Sequence, residues 1–245
     1  MSKQAKVALI TGANKGLGLE TARQLGKLGI TVLLGARDKT KGEAAAAELK
    51  REGIDARAIT LDVDSPSDIA EVADKIAAEF GQLDILVNNA AVMVDARTGN
   101  ETSTTSGEVL RTTFRTNFFA VVQLTQALLP LLQQSEAGRI VNLSSILGSN
   151  TLHATPGSPI YDAKTFAYDS SKAALNSFTI HLAHELKDTK IKVNSAHPGW
   201  VKTDMGGEGA VMEITDGVKT GVELATLGED GPTGGYFHLG KALPW

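Results

Sequence analysis

The chain has 245 residues, of which 42% are hydrophobic, and carries a formal net charge of −4 with no cysteine. A hydrophobic fraction this large is ample for a packed core and excludes wholesale disorder. The 24 basic residues lie scattered among 28 acidic ones, which argues against a nucleic-acid or anionic-membrane surface, and the absence of cysteine excludes disulfides and thiolate metal sites.

The opening MSKQAKVALITGANKG has too short an apolar run for a signal peptide. No stretch approaches the roughly 20 apolar residues of a membrane span, so a soluble cytoplasmic protein is the expectation. Lys6 to Ile10 reads as a buried strand, followed by a glycine turn and a helix from Gly16 to about Leu28 that Gly29 ends. ITVLLGA is a second strand, and KGEAAAAELKREG a surface helix closing at Gly53. ARAITLDV reads as strand three. The next helix, SPSDIAEVADKIAAEFG, takes Ser65 as N-cap and Pro66 at its first position. The alternation continues through LDILVNNA, a long helix ending near LTQALLPLLQQ, the strand GRIVNLSS, the helix FAYDSSKAALNSFTIHLAHELK and the strand IKVNSAHPG. Apolar strands separated by helices imply a parallel sheet covered on both faces, a doubly wound α/β fold. With no repeat and no linker, residues 1–245 read as one domain. Asp95 to Glu108 is the most polar stretch and reads as a surface loop leading into the long helix. Because it follows a strand's carboxyl end, a substrate-side role is the other reading.

Gly12, Gly16 and Gly18 lie between the first strand and the first helix with the spacing G-x-x-x-G-x-G. Glycines let the chain turn sharply and let a pyrophosphate approach backbone amides at the positive end of a helix. A bare structural turn would use the same residues, but the position between strand and helix favours dinucleotide binding. The second strand ends near the expected adenosine ribose, where an acid favours NAD and an arginine NADP. Here Arg37 is followed by Asp38, and Lys15 inside the turn is a second cation able to reach a 2′-phosphate. Arg37 and Lys15 together favour NADP(H) over NAD(H), with Asp38 pulling the other way.

Two tyrosines have a lysine just downstream: Tyr161 with Lys164, and Tyr168 with Lys172. Either spacing brings the pair together on one face of a helix. Tyr168, Lys172, Leu175, Thr179, Leu182 and Leu186 form a helical stripe. Tyr161 follows Pro159 closely without such a stripe, so Lys164 is not expected to face it. Tyr168 is the candidate acid.

The motifs TGANKGLG, NNAA, FRTNFFAV, RIVNLSSILG, YDSSK and HPGWVKTDM occur in this order from Thr11 to Met205. The set resembles the short-chain dehydrogenase/reductase family in its single-domain form, and NKGLG, GARD and PGWVKTDM look closest to its NADPH-dependent carbonyl reductases. The resemblance implies a Rossmann-type, seven-stranded parallel sheet flanked by helices, and hydride transfer between a nicotinamide and a ketone, aldehyde or alcohol. It implies Ser145 as the residue bonding the substrate oxygen, Tyr168 as general acid/base, Lys172 as its activator and ribose anchor, and Asn117 as holder of a proton-relay water. Cofactor contacts carried over by position are Gly12, Asn14, Lys15, Gly16, Leu17, Gly18 and Arg37; Asp62 and Val63 at the adenine; Asn89, Ala90 and Ala91 beside the cofactor; and Pro198, Gly199, Val201 and Thr203 at the nicotinamide end. Ala91 replaces the family's usual glycine. The interval between Ser145 and Tyr168 is longer than usual, its extra residues (149–166) reading as a loop or short helix near the substrate mouth or a subunit contact. The tail GGYFHLGKALPW departs from the family's usual ending, and nothing is carried over for it. Family members often form dimers or tetramers, although the insertion can block that interface and leave a monomer.

A phenol starting near pKa 10 needs a fall of about three units, or about 4 kcal/mol, to work near pH 7. A unit positive charge about 4 Å away at an effective dielectric of about 20 supplies about that. His153, His181, His184, His197 and His238 show no metal-like grouping, and His197 and Trp200 are candidates to line the substrate pocket. NLSSILG is not the G-x-S-x-G of a hydrolase. Two competitors to a carbonyl reductase remain on sequence grounds: a non-catalytic NADP(H)-binding sensor or scaffold, which should lack serine, tyrosine or lysine, and a sugar-nucleotide epimerase or dehydratase, which usually carries an added substrate domain.

Overall fold

The computed structural model describes residues 5–95 and 101–245; residues 96–100, part of the polar stretch Asp95 to Glu108 expected to be a loop, lie outside them. The short apolar runs become strands β1 (Val7–Thr11), β2 (Thr31–Ala36), β3 (Ala56–Thr60), β4 (Ile85–Asn88), β5 (Arg139–Leu143) and β6 (Lys192–Ala196). Every residue of β1, β2 and β4 is buried, as expected for parallel strands covered on both faces. Between them run α1 (Gly16–Lys27), α2 (Lys39–Arg51) and α3 (Pro66–Phe80). Ser65 caps α3 through its side chain, Pro66 opens it, and Gly81 closes it at φ 72°.

With two further strands in the tail, β7 (Tyr236–His238) and β8 (Lys241–Ala242), the sheet order is β3-β2-β1-β4-β5-β6-β7-β8. The chain leaves β1 to one side through β2 and β3 and returns to the other side at β4, so the two halves diverge between the carboxyl ends of β1 and β4. That crevice is where an open α/β sheet binds ligands. One core lies between the sheet and α1, α2 and α9 (Lys219–Ala225), the other between the sheet and α3, α5 (Ala120–Gln133) and α7 (Phe166–Glu185).

The strand count differs from the expected seven. β7 (Tyr236–His238) is parallel to β6, and an eighth strand, β8 (Lys241–Ala242), pairs antiparallel with β7. Both lie in the tail. The reversal is a two-residue hairpin whose central residues, Leu239 and Gly240, have φ of 46° and 74°, the positive values that suit the right-handed twist of the flanking strands. The long helix is also not uniform. α4 (Gly107–Phe114) passes through a π-helical stretch, Arg115–Phe119, into α5, and Asn117 sits in that stretch.

A buried chain of polar side chains crosses the sheet beneath the crevice. Asn88 Nδ2 donates to Thr125 Oγ1 (3.2 Å) and Asn142 Oδ1 (2.9 Å), Asn142 Nδ2 donates to Thr179 Oγ1 (2.9 Å), and Thr179 meets Ser195 Oγ at 2.9 Å. Three strands and two helices are thereby fixed in register.

Candidate active site

The glycine turn sits at the carboxyl end of β1. Gly12 and Gly16 have φ of 63° and 56°, which a side chain resists. A Cβ on Gly18 would lie 2.6 Å from both Gly12 O and Asn89 Nδ2, so the third glycine serves close packing. Asn89 is part of this turn's scaffold: its side chain donates to Thr11 O (2.7 Å) and Gly12 O (3.3 Å), while Thr11 Oγ1 accepts the N–H groups of Asn89 and Ala90. Helix α1 opens here with Lys15 as N-cap, no side-chain cap bond and no acid in its first turn. Its orphan amides and positive dipole end suit an anion. Thr203 lies across the turn, its Cγ2 3.8 Å from where a Gly16 Cβ would be.

The charged residues around the ribose position separate. Asp38 turns into the N-terminus of α2, accepting the Lys41 N–H at 3.1 Å, and that bond, ahead of the nearby Lys41 charge, lowers its pKa. Arg37 stands exposed at the end of β2. Lys15 reaches instead to Asp204 Oδ2 at 2.5 Å, both side chains being largely in solvent. Asp62 lies just past β3, its N–H bonded to Asp68 Oδ2 and its Oδ1 accepting from Asp64 N; Val63 is half-buried. Asn14, Leu17 and Ala91 are half-buried around the crevice. Pro198 leads into Gly199, whose φ of 94° and contact with Met212 leave no room for a side chain, and Val201 pairs with Met212 in a single bridge.

Ser145, Tyr168 and Lys172 meet at the carboxyl end of β5, all buried. Lys172 follows Tyr168 by one helical turn, and its Nζ lies 5.6 Å from the Tyr168 ring centroid and donates to Leu143 O at 2.8 Å. Burial pushes the Tyr168 phenol up to about 12; the neighbouring Ser145 hydroxyl works against this, and the charges of Asp169 and Asp95 add to it. Burial also pushes the Lys172 amine down to about 7. The expected fall of the phenol toward neutrality is thus absent from the protein alone. Both groups are desolvated, and each favours its neutral form. Ser145 Oγ caps a short turn, Ile146–Gly148, by accepting the Leu147 N–H. Asn117 is buried, with Oδ1 accepting from Val92 N (2.8 Å) and Nδ2 donating to Val92 O (2.8 Å) and Ser171 Oγ (3.0 Å). Its side chain is fully engaged with protein.

The inserted segment forms a short helix, α6 (Asn150–Ala154), and a loop. Leu147, Asp162, Ala163, Lys164 and Thr165 join Met93 in lining a cavity of about 610 Å³, bounded by residues that flank Ser145 and Tyr168 in the chain. Lys164 does face Tyr161, contrary to expectation, with Nζ 5.2 Å from the ring centroid. It reaches there from a loop rather than a helix, and its nitrogen also bonds His153 Nδ1 and O. His197 is buried, and its Nδ1 accepts from Ile146 N and Gly199 N. Burial, with the His238 ring tilted against it at 4.7 Å, pushes it down to about 3, so it is a neutral structural ring behind Ser145. Trp200 is 57% exposed, its indole donating to Gly206 O. Asp95, read from sequence as the start of a solvated loop, is 2% exposed and bonds the first turn of α7. Its partner there lies 72 residues away, so no local pattern could have marked it.

Residues 6–211 match the short chain dehydrogenase family. A short-chain dehydrogenase/reductase 1 from Saponaria officinalis is 36% identical, the alignment spanning 99% of this chain and 97% of that protein. Carbonyl reductase (NADPH) 1 of Mus musculus is 32% identical, and both chains are covered in full. An NADPH-bound carbonyl reductase from chicken fatty liver superposes with a TM-score of 0.85 at 25% identity, covering 99% of this chain and 100% of that one.

Proposed function

The chain belongs to the short-chain dehydrogenase/reductase family, and from that premise we propose that it is an NADP(H)-dependent oxidoreductase that reversibly reduces a ketone or aldehyde to an alcohol. The observation that carries this reading is the convergence of Ser145, Tyr168 and Lys172 in one buried site beside a glycine turn whose helix end carries no side-chain cap. The turn's open geometry fits a dinucleotide: Gly12, Asn14, Gly16, Leu17 and Gly18 would hold its pyrophosphate, Asp62 and Val63 its adenine, Asn89, Ala90 and Ala91 would lie beside it, and Pro198, Gly199, Val201 and Thr203 would line its nicotinamide end. Arg37 supplies a cation for a 2′-phosphate, Lys15 is a second that must leave Asp204 to reach it, and Asp38 is engaged at the start of α2, which supports NADP(H). The names of the mouse and chicken relatives point the same way.

When bound, the reduced cofactor supplies a hydride to the carbonyl carbon. Tyr168 gives its phenolic proton to the carbonyl oxygen, and the Ser145 hydroxyl steadies the charge developing there. A phenol held up to about 12 stays protonated throughout the neutral range, which is the form that reduction requires. As its proton leaves, the growing negative charge raises the proton affinity of the Lys172 amine one turn away, so the ammonium is strongest when it is needed. Asn117, its side chain tied to Val92 and Ser171, acts on the site by holding the π-helical stretch against α7. The cavity edged by Met93, Leu147 and the inserted segment receives the rest of the substrate.

The test is NADPH and NADH oxidation by purified protein over a panel of ketones, aldehydes and quinones, with Tyr168→Phe alongside. NADPH-linked turnover is expected, falling by about a hundredfold or more in Tyr168→Phe. Turnover that survives the change would remove Tyr168 from its role, and tight NADPH binding with no turnover across the panel would favour a sensor.

A further inference from the structure

The first backbone N–H groups of the catalytic helix are not held by its own cap residue. Thr165, at the N-cap of α7, does not cap a backbone N–H with its side chain; its Oγ1 donates instead to the Asp169 carboxylate at 2.8 Å. Asp95, from the segment that follows β4, does the capping: its Oδ2 accepts the N–H groups of Ala167 at 2.8 Å and Tyr168 at 3.2 Å. The carbonyl of Tyr168 is held as well, because Ser171 Oγ donates to it at 2.7 Å. Ser171 in turn accepts from Asn117 Nδ2, and Asn117 grips both backbone groups of Val92, three residues before Asp95. Followed around, these bonds close on themselves: Asp95, Tyr168 backbone, Ser171, Asn117, Val92, and back along the chain to Asp95. Both backbone hydrogen-bonding groups of the tyrosine belong to one buried circuit that spans three elements.

We propose that Asp95 is a positioning residue for Tyr168, fixing the catalytic tyrosine's backbone by completing this circuit. The inference rests on the reading of Tyr168 as the acid/base group. A ring of bonds of this kind restrains the phenol to within the fraction of an ångström that proton transfer demands, and a displacement of about 1 Å costs roughly a hundredfold in rate. The carboxylate has a second effect. It is an anion near a phenol that must carry negative charge in the oxidative direction, and it opposes that charge. Among the described residues, the other groups facing Tyr168 are Lys172 and Asp169 on α7, Tyr236 on β7 and the Ser145 hydroxyl beyond β5; His153 of α6 pairs with Asp169 at 3.3 Å, and His197 is kept neutral by burial. Of these, Asp169 also responds to position 95: burial chiefly holds its carboxyl above the usual range and the Asp95 charge adds to that, so the shift read in Asp95→Asn is that of the phenol with Asp169 beside it.

Two variants separate the geometric from the electrostatic effect. Asp95→Asn keeps an acceptor oxygen and removes the charge, whereas Asp95→Ala removes both. Amide hydrogen exchange over residues 166–172 and the pH dependence of alcohol oxidation with NADP+ are the readouts, using the product of whichever carbonyl the wild type reduces. In Asp95→Ala, protection of the first turn of α7 is expected to be lost and kcat to fall tenfold or more. In Asp95→Asn, protection is expected to persist. Oxidation needs the deprotonated phenol and rises as pH passes its pKa, so losing a neighbouring anion moves that rise to lower pH. Wild-type exchange and kcat in Asp95→Ala, or a rise that stays in place in Asp95→Asn, would overturn the proposal. Should Asp95→Ala fail to fold, the position of the rise in Asp95→Asn decides alone. The Tyr168→Phe variant reports separately on the underlying reading: turnover that survives it overturns that reading whatever the Asp95 variants do.

Discussion

Lys172 carries an amine into a place where water scarcely reaches, with 3% of its surface exposed. Its folded pKa of about 7 lies below the ordinary 10.5, so between those values the unfolded chain binds the additional proton. Stability therefore climbs as pH rises from about 7 to 10.5, and the full penalty, on the order of 4–5 kcal/mol, is present below about pH 7. Lys172→Met keeps the length and sheds the charge, leaving only Leu143 O without its donor. Its melting temperature at pH 6 is expected to exceed that of the wild type by about 5 °C or more, with the gap narrowing toward pH 10 and carbonyl reduction lost. A variant that melts below the wild type at pH 6 would show that the amine is stabilising in place. A basic group that lowers stability where the protein works is what a residue kept for chemistry looks like.

Among the elements, the polar chain from Asn88 through Asn142 and Thr179 to Ser195 does for the sheet what Asp95 does for one helix. Removing its middle member, as Asn142→Ala, strands a donor on Asn88 and leaves Thr179 Oγ1 without the Asn142 donor, both in the core. A loss of about 2–4 kcal/mol is expected, seen as a melting temperature lower by roughly 5–15 °C; a change within about 2 °C would mean that the neighbours re-pair. What could be read in advance tracks how local each element's cause is. β1, β2 and α3 were legible because apolar runs, a serine N-cap, a proline and a glycine stop all lie within the segment itself. That Ser145, Tyr168 and Lys172 come together was legible for a related reason, since the tyrosine and lysine share a helix face and the serine follows a strand's end. β7 and β8 were not, because strands of three and two residues offer no periodicity, and their turn uses a leucine at positive φ, where the usual signal is Asn or Asp before Gly. The π-helical stretch at Arg115–Phe119 has no sequence mark at all. Asp95 was misplaced because the polar residues after it set the local pattern, while its partners come from α7.

For the molecule as a whole, the crevice lies where the two half-sheets meet through the β1–β4 strand pair. A ligand bound across it stabilises both halves, by about 2.7 kcal/mol at a hundredfold excess over its Kd. NADP+ is expected to raise the melting temperature by roughly 5–10 °C, more than NAD+ at equal concentration. Arg37→Asp is expected to shrink the NADP+ response and leave the NAD+ response intact or larger. Equal responses in the wild type would end the assignment of Arg37 to a 2′-phosphate. The inserted segment stands apart from this shared framework. Gly148, at its start, packs so closely on Lys172 and Asn176 of α7 that a Cβ would lie 2.9 Å from Lys172, and Thr165, at its end, is bonded to Asp169 of the same helix. Its two ends are thus pinned to a single helix, while its body forms a wall of the cavity. Each doubling of such a closed loop's length costs only about 0.6 kcal/mol. Its first half is also tied back, His153 to Asp169 of α7 and the Thr151 N–H to Trp245 O; on the function proposed above, the remainder up to Thr165 is a cassette whose length and composition can change with the substrate while Ser145, Tyr168 and Lys172 keep their places.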